Sequence, residues 1–223
     1  MNGYTWHWEV IWTADFLSLV LAGVKYVILV SAAALTIGSA LGLVAAVGRT
    51  YRIPIVNQAA YLYVDFFRTT PLLVQLIWIF YVLPIILGFS LSAVTSGIIA
   101  LSLNAGAYLS EIFRAGLVSI GRGQRDAAHV LGLSSRQTLR YILVPQALRR
   151  VLPATANVFI TLVKESSILS VIAIPELTYA AQNYVTTTFR PLEVYTALAV
   201  LYFLLTYPLS VITTYLERRF VVP

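Results

Sequence analysis

Cysteine is absent from the 223 residues of this chain, so disulfide bonds, thiolate metal sites and cysteine nucleophiles are excluded. Charged residues are scarce, at 11% of the sequence, whereas a soluble domain has about a quarter. The phosphate-binding motif GxxxxGK[ST] does not occur, so ATP is not expected to bind this chain itself. The two histidines, His7 and His129, show no metal-ligand spacing. We therefore expect neither a metal site nor a cofactor.

Apolar residues, in contrast, make up 59% of the chain, which is typical of a polytopic membrane protein. The formal charge is +6, but the basic residues cluster beside apolar segments. That pattern indicates membrane topology and not a nucleic-acid-binding surface. The first fifteen residues contain no lysine or arginine, whereas a secretory signal begins with a basic region. The first apolar segment is therefore expected to be retained.

Membrane spans are predicted from runs of about 20 mostly apolar residues, the length of helix that crosses about 30 Å of hydrocarbon. Asp65, Arg68 and Pro71 interrupt the second run, and a weak boundary rich in Pro, Gly and Ser separates it from the third. The five predicted spans cover about 16–47, 58–88, a third segment that ends near 114, 147–174 and 194–216. The predicted fold is an all-α polytopic membrane protein with one transmembrane domain over residues 1–223.

The arginines are distributed asymmetrically between the two sides of these spans. Arg49 and Arg52 lie between the first two spans, and Arg218 and Arg219 follow the fifth. The connection between spans three and four contains seven more arginines, at positions 114, 122, 125, 136, 140, 149 and 150. Because positive residues concentrate on the cytoplasmic side, the N-terminus is predicted to lie outside and the C-terminus in the cytoplasm.

The long cytoplasmic connection, about 117–146, is predicted to form two short helices. Residues 124–131 are compatible with a first helix, and Gly132 suits the left-handed position just after its end. Ser134 and Gln137 have the spacing of a capping box that opens a second helix. Pro145 then marks the start of span four. Small residues at the exposed turn would allow a soluble partner to approach closely.

The order of residues in this connection resembles a known motif. Asp126-Ala127-Ala128-x3-Gly132-x9-Ile142-x-x-Pro145 is similar to the EAA loop of importer permeases in the ATP-binding cassette (ABC) superfamily. Asp126 stands where that family usually has Glu, and Val144 where it usually has Leu. Three further stretches resemble the permeases for polar amino acids: 67–75 (FRTTPLLVQ), 104–116 (NAGAYLSEIFRAG) and 164–167 (KESS) before Pro175-Glu176-Leu177.

The resemblance implies a fold like that of a type I ABC importer permease in the bacterial cytoplasmic membrane. It implies that Asp126, Ala127, Ala128 and Gly132 dock into a groove on a separate ATPase subunit. It also implies an extracytoplasmic substrate-binding protein and a second permease, either another copy or a related chain. Five spans are few to enclose a pathway, which agrees with a paired permease. The alternative is that this loop only connects two spans.

Ionisable residues inside the spans are candidates for function, because burying charge in a membrane is costly. Asp65 and Arg68, and likewise Glu111 and Arg114, are three residues apart, so each pair can meet on one helix face. Arg68 is followed by Thr69, Thr70 and Pro71, and the proline frees backbone carbonyls as in transporter binding sites. Arg68 could hold an amino-acid carboxylate in a bidentate contact while the threonines orient it.

Glu165 and Ser167 lie roughly mid-membrane in span four, where a carboxylate could pair with a substrate ammonium. Asn104 and Tyr108 could line the same cavity. For each of these residues the alternative is a structural role in helix packing. The predicted substrate-binding residues are Arg68, Thr69, Thr70, Asn104, Tyr108, Glu165 and Ser167. Whether the cargo is basic, neutral or acidic stays open.

Two other function classes fit the sequence less well than the permease. An intramembrane serine protease needs a base near its nucleophile, and neither histidine lies in a predicted span. A channel or stand-alone secondary transporter leaves the cytoplasmic loop without a purpose, and the chain shows no internal repeat. The predicted function is therefore the permease subunit of an ATP-driven importer of polar amino acids, which is not itself an enzyme.

Overall fold

The computed structural model describes residues 4–51 and 53–220, so Arg52 of the orientation argument lies outside the described residues. The described chain is helical almost throughout, and short 3₁₀ and π-helical turns join several of the helices. The α-helices in these ranges are α1 (Ala14–Thr50), α2 (Pro54–Thr69), α3 (Leu72–Ile77), α4 (Leu83–Leu87), α5 (Ala93–Val118), α6 (Arg122–Val130), α7 (Ser135–Gln137), α8 (Val144–Glu165), α9 (Leu177–Thr188) and α10 (Pro191–Phe220).

Four helical segments of the described chain are long and apolar enough to cross a membrane unbroken: Ala14–Thr50, Ala93–Val118, Ser135–Ile172 and Pro191–Phe220. A fifth span consists of α2 followed by Leu72–Leu87, and its two halves are bent by 109°. The bend falls at Thr70-Pro71, because Pro71 has no N–H to continue the hydrogen-bond ladder of α2. The predicted all-α membrane fold is confirmed, with the second span broken rather than straight.

The centre of the bundle is the packing of α1 against α5. Glycines allow the two backbones to approach: a Cβ built on Gly42 would lie 2.8 Å from the carbonyl oxygen of Gly106. Fully buried apolar side chains from α1, α3, α5 and α8 surround this contact, including Val30, Leu76, Leu109 and Leu162. Close packing of small residues is a usual way for membrane helices to associate, since lipid provides no hydrophobic force between them.

At the predicted outer end, the segment before α1 lies against α9 and α10. The backbone N–H of His7 donates to Glu193 Oε1 at 2.8 Å, and the hydroxyl of Tyr184 donates to the carbonyl of Val10 at 2.8 Å. Helix α9 was not predicted. Its sequence is short and mixed in polarity, so neither hydropathy nor length distinguishes it from a loop.

Candidate functional site

A cavity of about 230 Å³ lies between α5 and α8. Asn104 and Tyr108 on α5 and Glu165 on α8 line it, so three of the predicted binding residues meet in one place. Asn104 and Tyr108 are four residues apart, as are Thr161 and Glu165, so each helix presents one turn of polar side chains to the cavity. Ala105, Val158 and Leu162 complete the lining. A carboxylate, a phenol and a hydroxyl on an apolar wall can hold a small polar ligand.

Thr161 was missed by the sequence analysis. The sequence contained the information needed to find it, because a residue four positions before Glu165 lies on the same face of α8. In the structure the Thr161 hydroxyl donates to the carbonyl of Asn157 at 3.1 Å, which leaves its oxygen lone pairs free to accept.

Asn104 has a structural partner as well as a cavity face. Its side-chain amide donates to the carbonyl of Phe67 at 3.1 Å and to Gln75 Oε1 at 3.2 Å. Gln75 in turn donates to the Phe67 carbonyl and to the hydroxyl of Thr70, at 3.0 and 2.7 Å. These bonds satisfy the backbone that Pro71 leaves open, so Gln75 and Asn104 fix the bend of the second span. Gln75 was not predicted to have this role, although a single amide side chain in an apolar run indicates a buried hydrogen-bonding group.

The two threonines before the bend do not reach the cavity between α5 and α8. The Thr69 hydroxyl donates to the carbonyl of Asp65 and the Thr70 hydroxyl to the carbonyl of Phe66, both at 2.7 Å. Thr70 lines a different, largely apolar cavity of about 310 Å³ inside the bend. Ser167 is also outside the α5–α8 cavity, since its hydroxyl donates to the carbonyl of Lys164 at 2.8 Å.

Arg68 lies beside the cavity, against one of its lining residues. The guanidinium carbon is 5.6 Å from the centre of the Tyr108 ring, which is within the range of a cation–π contact. The expected pair with Asp65 is not formed, because within the described residues Asp65 has no ionic partner closer than 4.0 Å. Arg68 instead approaches Glu111 on α5, at 3.7 Å from Oε1. The expected pair of Glu111 and Arg114 is confirmed at 3.0 Å.

The loop between α5 and α8 folds as predicted. Gly132 has a φ of 72° at the end of α6, and the backbone N–H groups of Gly132 and Leu133 close a Schellman motif onto His129 and Ala128. The capping box of Ser134 and Gln137 is formed at the start of α7. Both short helices of the prediction are therefore present.

One of the four residues expected to dock to the ATPase does not lie on the surface of this loop. Asp126, Ala127 and Gly132 are exposed, but Ala128 is fully buried against the chain itself. The most exposed apolar side chains of the loop are Val130 and Leu131, at 88% and 76%. An apolar pair at the tip of a polar helix is a feature of a surface that another protein covers.

The family model described as "Binding-protein-dependent transport system inner membrane component" matches residues 38–222. The chain belongs to this family. The glutamine transport system permease protein GlnP of Escherichia coli (strain K12) is 37% identical over 213 residues, 95% of this chain and 96% of that protein. The L-cystine transport system permease protein TcyB of Bacillus subtilis (strain 168) is 34% identical over 213 residues, 95% and 90% of the two chains.

Solved structures agree with this assignment. A chain of an amino acid ABC transporter, solved with histidines, superposes with a TM-score of 0.88 at 35% identity, covering 97% of this chain and all of that one. A chain of the MetNI methionine ABC transporter superposes with a TM-score of 0.77 at 20% identity and supports the fold alone.

The predicted function is confirmed at this level: the protein is a multi-pass membrane permease subunit of an ABC importer, and not a stand-alone transporter, and the relatives named above are permeases for amino acids. In such transporters a separate subunit hydrolyses ATP, so this chain is a transport subunit and not an enzyme.

Proposed function

We propose that the cavity between α5 and α8 binds a polar amino acid on its way across the bacterial cytoplasmic membrane. The observation that carries the proposal is the meeting of Asn104, Tyr108 and Glu165 in this cavity, with Arg68 against the Tyr108 ring. The volume, about 230 Å³, is below the range of about 300–1,000 Å³ usual for drug-sized ligands, which suits a single amino acid.

The opposite charges around the cavity match a zwitterion. Glu165 offers a carboxylate to the substrate ammonium, and the hydroxyls of Tyr108 and Thr161 offer further oxygens. Arg68 offers a planar guanidinium to the substrate carboxylate, a geometry that favours two parallel hydrogen bonds. Thr69, Thr70 and Ser167 support the site indirectly, because their hydroxyls stabilise the helix ends on which Arg68 and Glu165 lie.

Transport requires partners on both sides of the membrane. The exposed Asp126, Ala127 and Gly132, with Ala128 packed beneath them, form the docking turn for a cytoplasmic ATPase. We assign the N-terminus to the outside, where a soluble binding protein delivers the substrate. A second permease, identical or related, completes the pathway. The whole of 1–223 acts as one transmembrane domain whose coupling loop is about 117–146.

The site is tested by uptake of basic, neutral and acidic amino acids into proteoliposomes that contain the complete transporter. Glu165→Gln removes the charge that faces the ammonium, and Arg68→Lys keeps the charge but loses the planar fork. Each is expected to lower uptake about tenfold, since losing one charged contact is worth about 1.4 kcal/mol or more.

Glu217→Gln is the matched control, because Glu217 is an exposed carboxylate near the end of α10 that does not line the cavity, and glutamine keeps the oxygen that accepts from Asn157 at 3.2 Å. It should leave uptake unchanged. If Glu165→Gln and Arg68→Lys both carry every amino acid at the wild-type rate, the site lies elsewhere and these charges are structural.

A further inference from the structure

One carboxylate, Glu111 on α5, is shared by arginines from three helices. Arg49 at the end of α1 hydrogen bonds to Oε1, and Arg114 on α5 donates to Oε2 through Nε at 3.2 Å and Nη2 at 3.0 Å. Arg68 at the end of α2 places Nη1 3.7 Å from Oε1. Three positive charges therefore surround one negative charge inside the membrane domain.

The excess positive charge is partly buried. The side chain of Arg49 is only 7% exposed and lies 4.3 Å from the centre of the Tyr61 ring. A buried charge without a counter-ion is costly, so the cluster favours the arrival of an anion. A ligand that carries a carboxylate supplies one.

The three arginines are held unequally. Arg114 makes two hydrogen bonds to Glu111, and the nearly buried Arg49 makes one, but the 3.7 Å separation of Arg68 is longer than a hydrogen bond. Arg68 is 42% exposed, far more than Arg49 at 7%; Arg114 is 40% exposed but is held by its two hydrogen bonds. Arg68 is the arginine that can leave Glu111 with the smallest loss, and it already lies against Tyr108 at the cavity wall.

We propose that Glu111 is a positioning residue that holds Arg68 aside in the empty permease and releases it to the carboxylate of an entering amino acid. This inference rests on the proposed function of the cavity. Arg49 and Arg114 keep Glu111 paired after Arg68 moves, so no buried carboxylate is left alone. The affinity for the substrate is then set by competition between two carboxylates, one internal and one on the ligand, for the same guanidinium.

The test is equilibrium binding of radiolabelled L-glutamine, L-arginine and L-glutamate to the purified permease–ATPase complex, without the soluble binding protein, whose own site would also bind the ligands. Glu111→Gln removes the competing charge and should tighten binding about two- to fivefold, the range expected for a partly exposed ion pair. The α-carboxamides of L-glutamine and L-arginine have no carboxylate to compete with Glu111, so their affinity should not change. A general loss of structure would alter the binding of both kinds of ligand.

A double-mutant cycle separates competition for Arg68 from a long-range effect of charge. In the Arg68→Gln background, Glu111→Gln should no longer tighten binding. Tightening that persists without Arg68, or that extends to the carboxamides, overturns the proposal, as does an unchanged affinity in the single variant. If Glu111→Gln fails to fold, Glu111→Asp is the second variant. Its carboxylate still provides a negative charge for Arg49, but the shorter side chain lies farther from Arg68, so the affinity for the amino acids should again increase.

The same assay separates this inference from the proposed function. Failure of the wild-type transporter to bind any of the three amino acids contradicts the proposed function itself. Normal binding by the wild type with no shift in either Glu111 variant contradicts only the role of Glu111.

Discussion

At the scale of single residues, Glu176 shows how one buried carboxyl group organises an element. It is fully buried, and it accepts the backbone N–H groups of Thr178 and Tyr179, each at 2.8 Å, and the Tyr202 hydroxyl at 2.9 Å. These bonds open α9 and attach it to α10. Burial raises the pKa of the Glu176 carboxyl, although the hydrogen bonds oppose the shift.

The raised pKa of Glu176 predicts a dependence of stability on pH. The folded protein binds the Glu176 proton more tightly than the unfolded chain does, so this proton adds to the free energy of unfolding. That stabilisation is complete below the ordinary glutamate pKa of about 4.3 and is lost as the pH rises through the raised pKa of the folded state. Melting temperatures in detergent should therefore fall from acid to neutral pH more steeply for the wild type than for Glu176→Gln.

Glu217→Gln, at an exposed carboxylate, is the control substitution and is measured across the same series of pH values. If the difference in melting temperature between the wild type and Glu176→Gln is the same at every pH, the pKa of the Glu176 carboxyl is not changed by folding and this prediction is wrong.

The residues of the candidate site show how far side-chain roles follow from sequence. Asn104, Tyr108 and Glu165 were predicted as cavity residues and share one cavity, because helical spacing alone brings residues on one face together. The partner of Arg68 was predicted wrongly. A pair three residues apart is worth only a few tenths of a kcal/mol, and a carboxylate on a neighbouring helix outweighs it once the chain is folded. Such partners depend on tertiary packing, which local spacing does not contain.

At the scale of elements, the contact of α1 with α5 depends on glycine. A Cβ at Gly42 would lie 2.8 Å from the Gly106 carbonyl and 2.9 Å from the Leu109 Cβ, which is too close without movement of the backbone. We expect Gly42→Ala to destabilise the protein by about 1–3 kcal/mol, the usual cost of overpacking, as a lower melting temperature.

Gly123→Ala is the control for this substitution, because Gly123 also lies in a helix but has open space where the Cβ would stand. Alanine there should be neutral or stabilising by up to about 1 kcal/mol. Equal melting temperatures for the two variants would contradict the close packing of α1 on α5.

A second prediction at the scale of elements concerns the coupling loop. Gly132 has a φ of 72°, which a β-branched residue adopts only with strain, so Gly132→Val should displace the turn that follows α6. Uptake is expected to fall at least about tenfold and the ATPase to dissociate or uncouple, while the spans still insert. Co-purification of the ATPase and amino-acid uptake are the measurements.

Gly121→Val is the matched change in the same loop, since Gly121 has a φ of −57° and open space around its Cβ position. It should leave uptake and ATPase association near wild type. If Gly132→Val shows wild-type uptake and wild-type ATPase association, this turn is not needed for coupling.

The spans themselves are predictable from hydropathy, because a membrane demands long apolar helices whatever the tertiary fold. Two features are not. The 109° bend between α2 and α3 depends on Gln75 and Asn104, which satisfy the backbone freed by Pro71 from two different helices. Helix α9 depends on the buried cap from Glu176, which a sequence pattern does not distinguish from an exposed acidic residue.

At the scale of the whole molecule, the first prediction is topology. The chain has no cysteine, so single cysteines introduced at Ser134, in the coupling loop, and at Thr187, near the end of α9, report without background. Both positions are exposed. In intact cells a membrane-impermeant thiol reagent should label Thr187→Cys and should label Ser134→Cys only after the membrane is opened. Labelling of both from the same side would refute the assigned orientation.

The central claim is that this permease moves a polar amino acid only when a separate ATPase acts on its coupling loop. The most direct test is uptake of a labelled amino acid such as L-glutamine, L-arginine or L-glutamate into proteoliposomes that contain the permease, its ATPase and its binding protein. Accumulation above the external concentration is expected only when the ATPase is present and can reach ATP. Accumulation by the permease without the ATPase, driven by an ion gradient, would instead identify a secondary transporter and contradict the account.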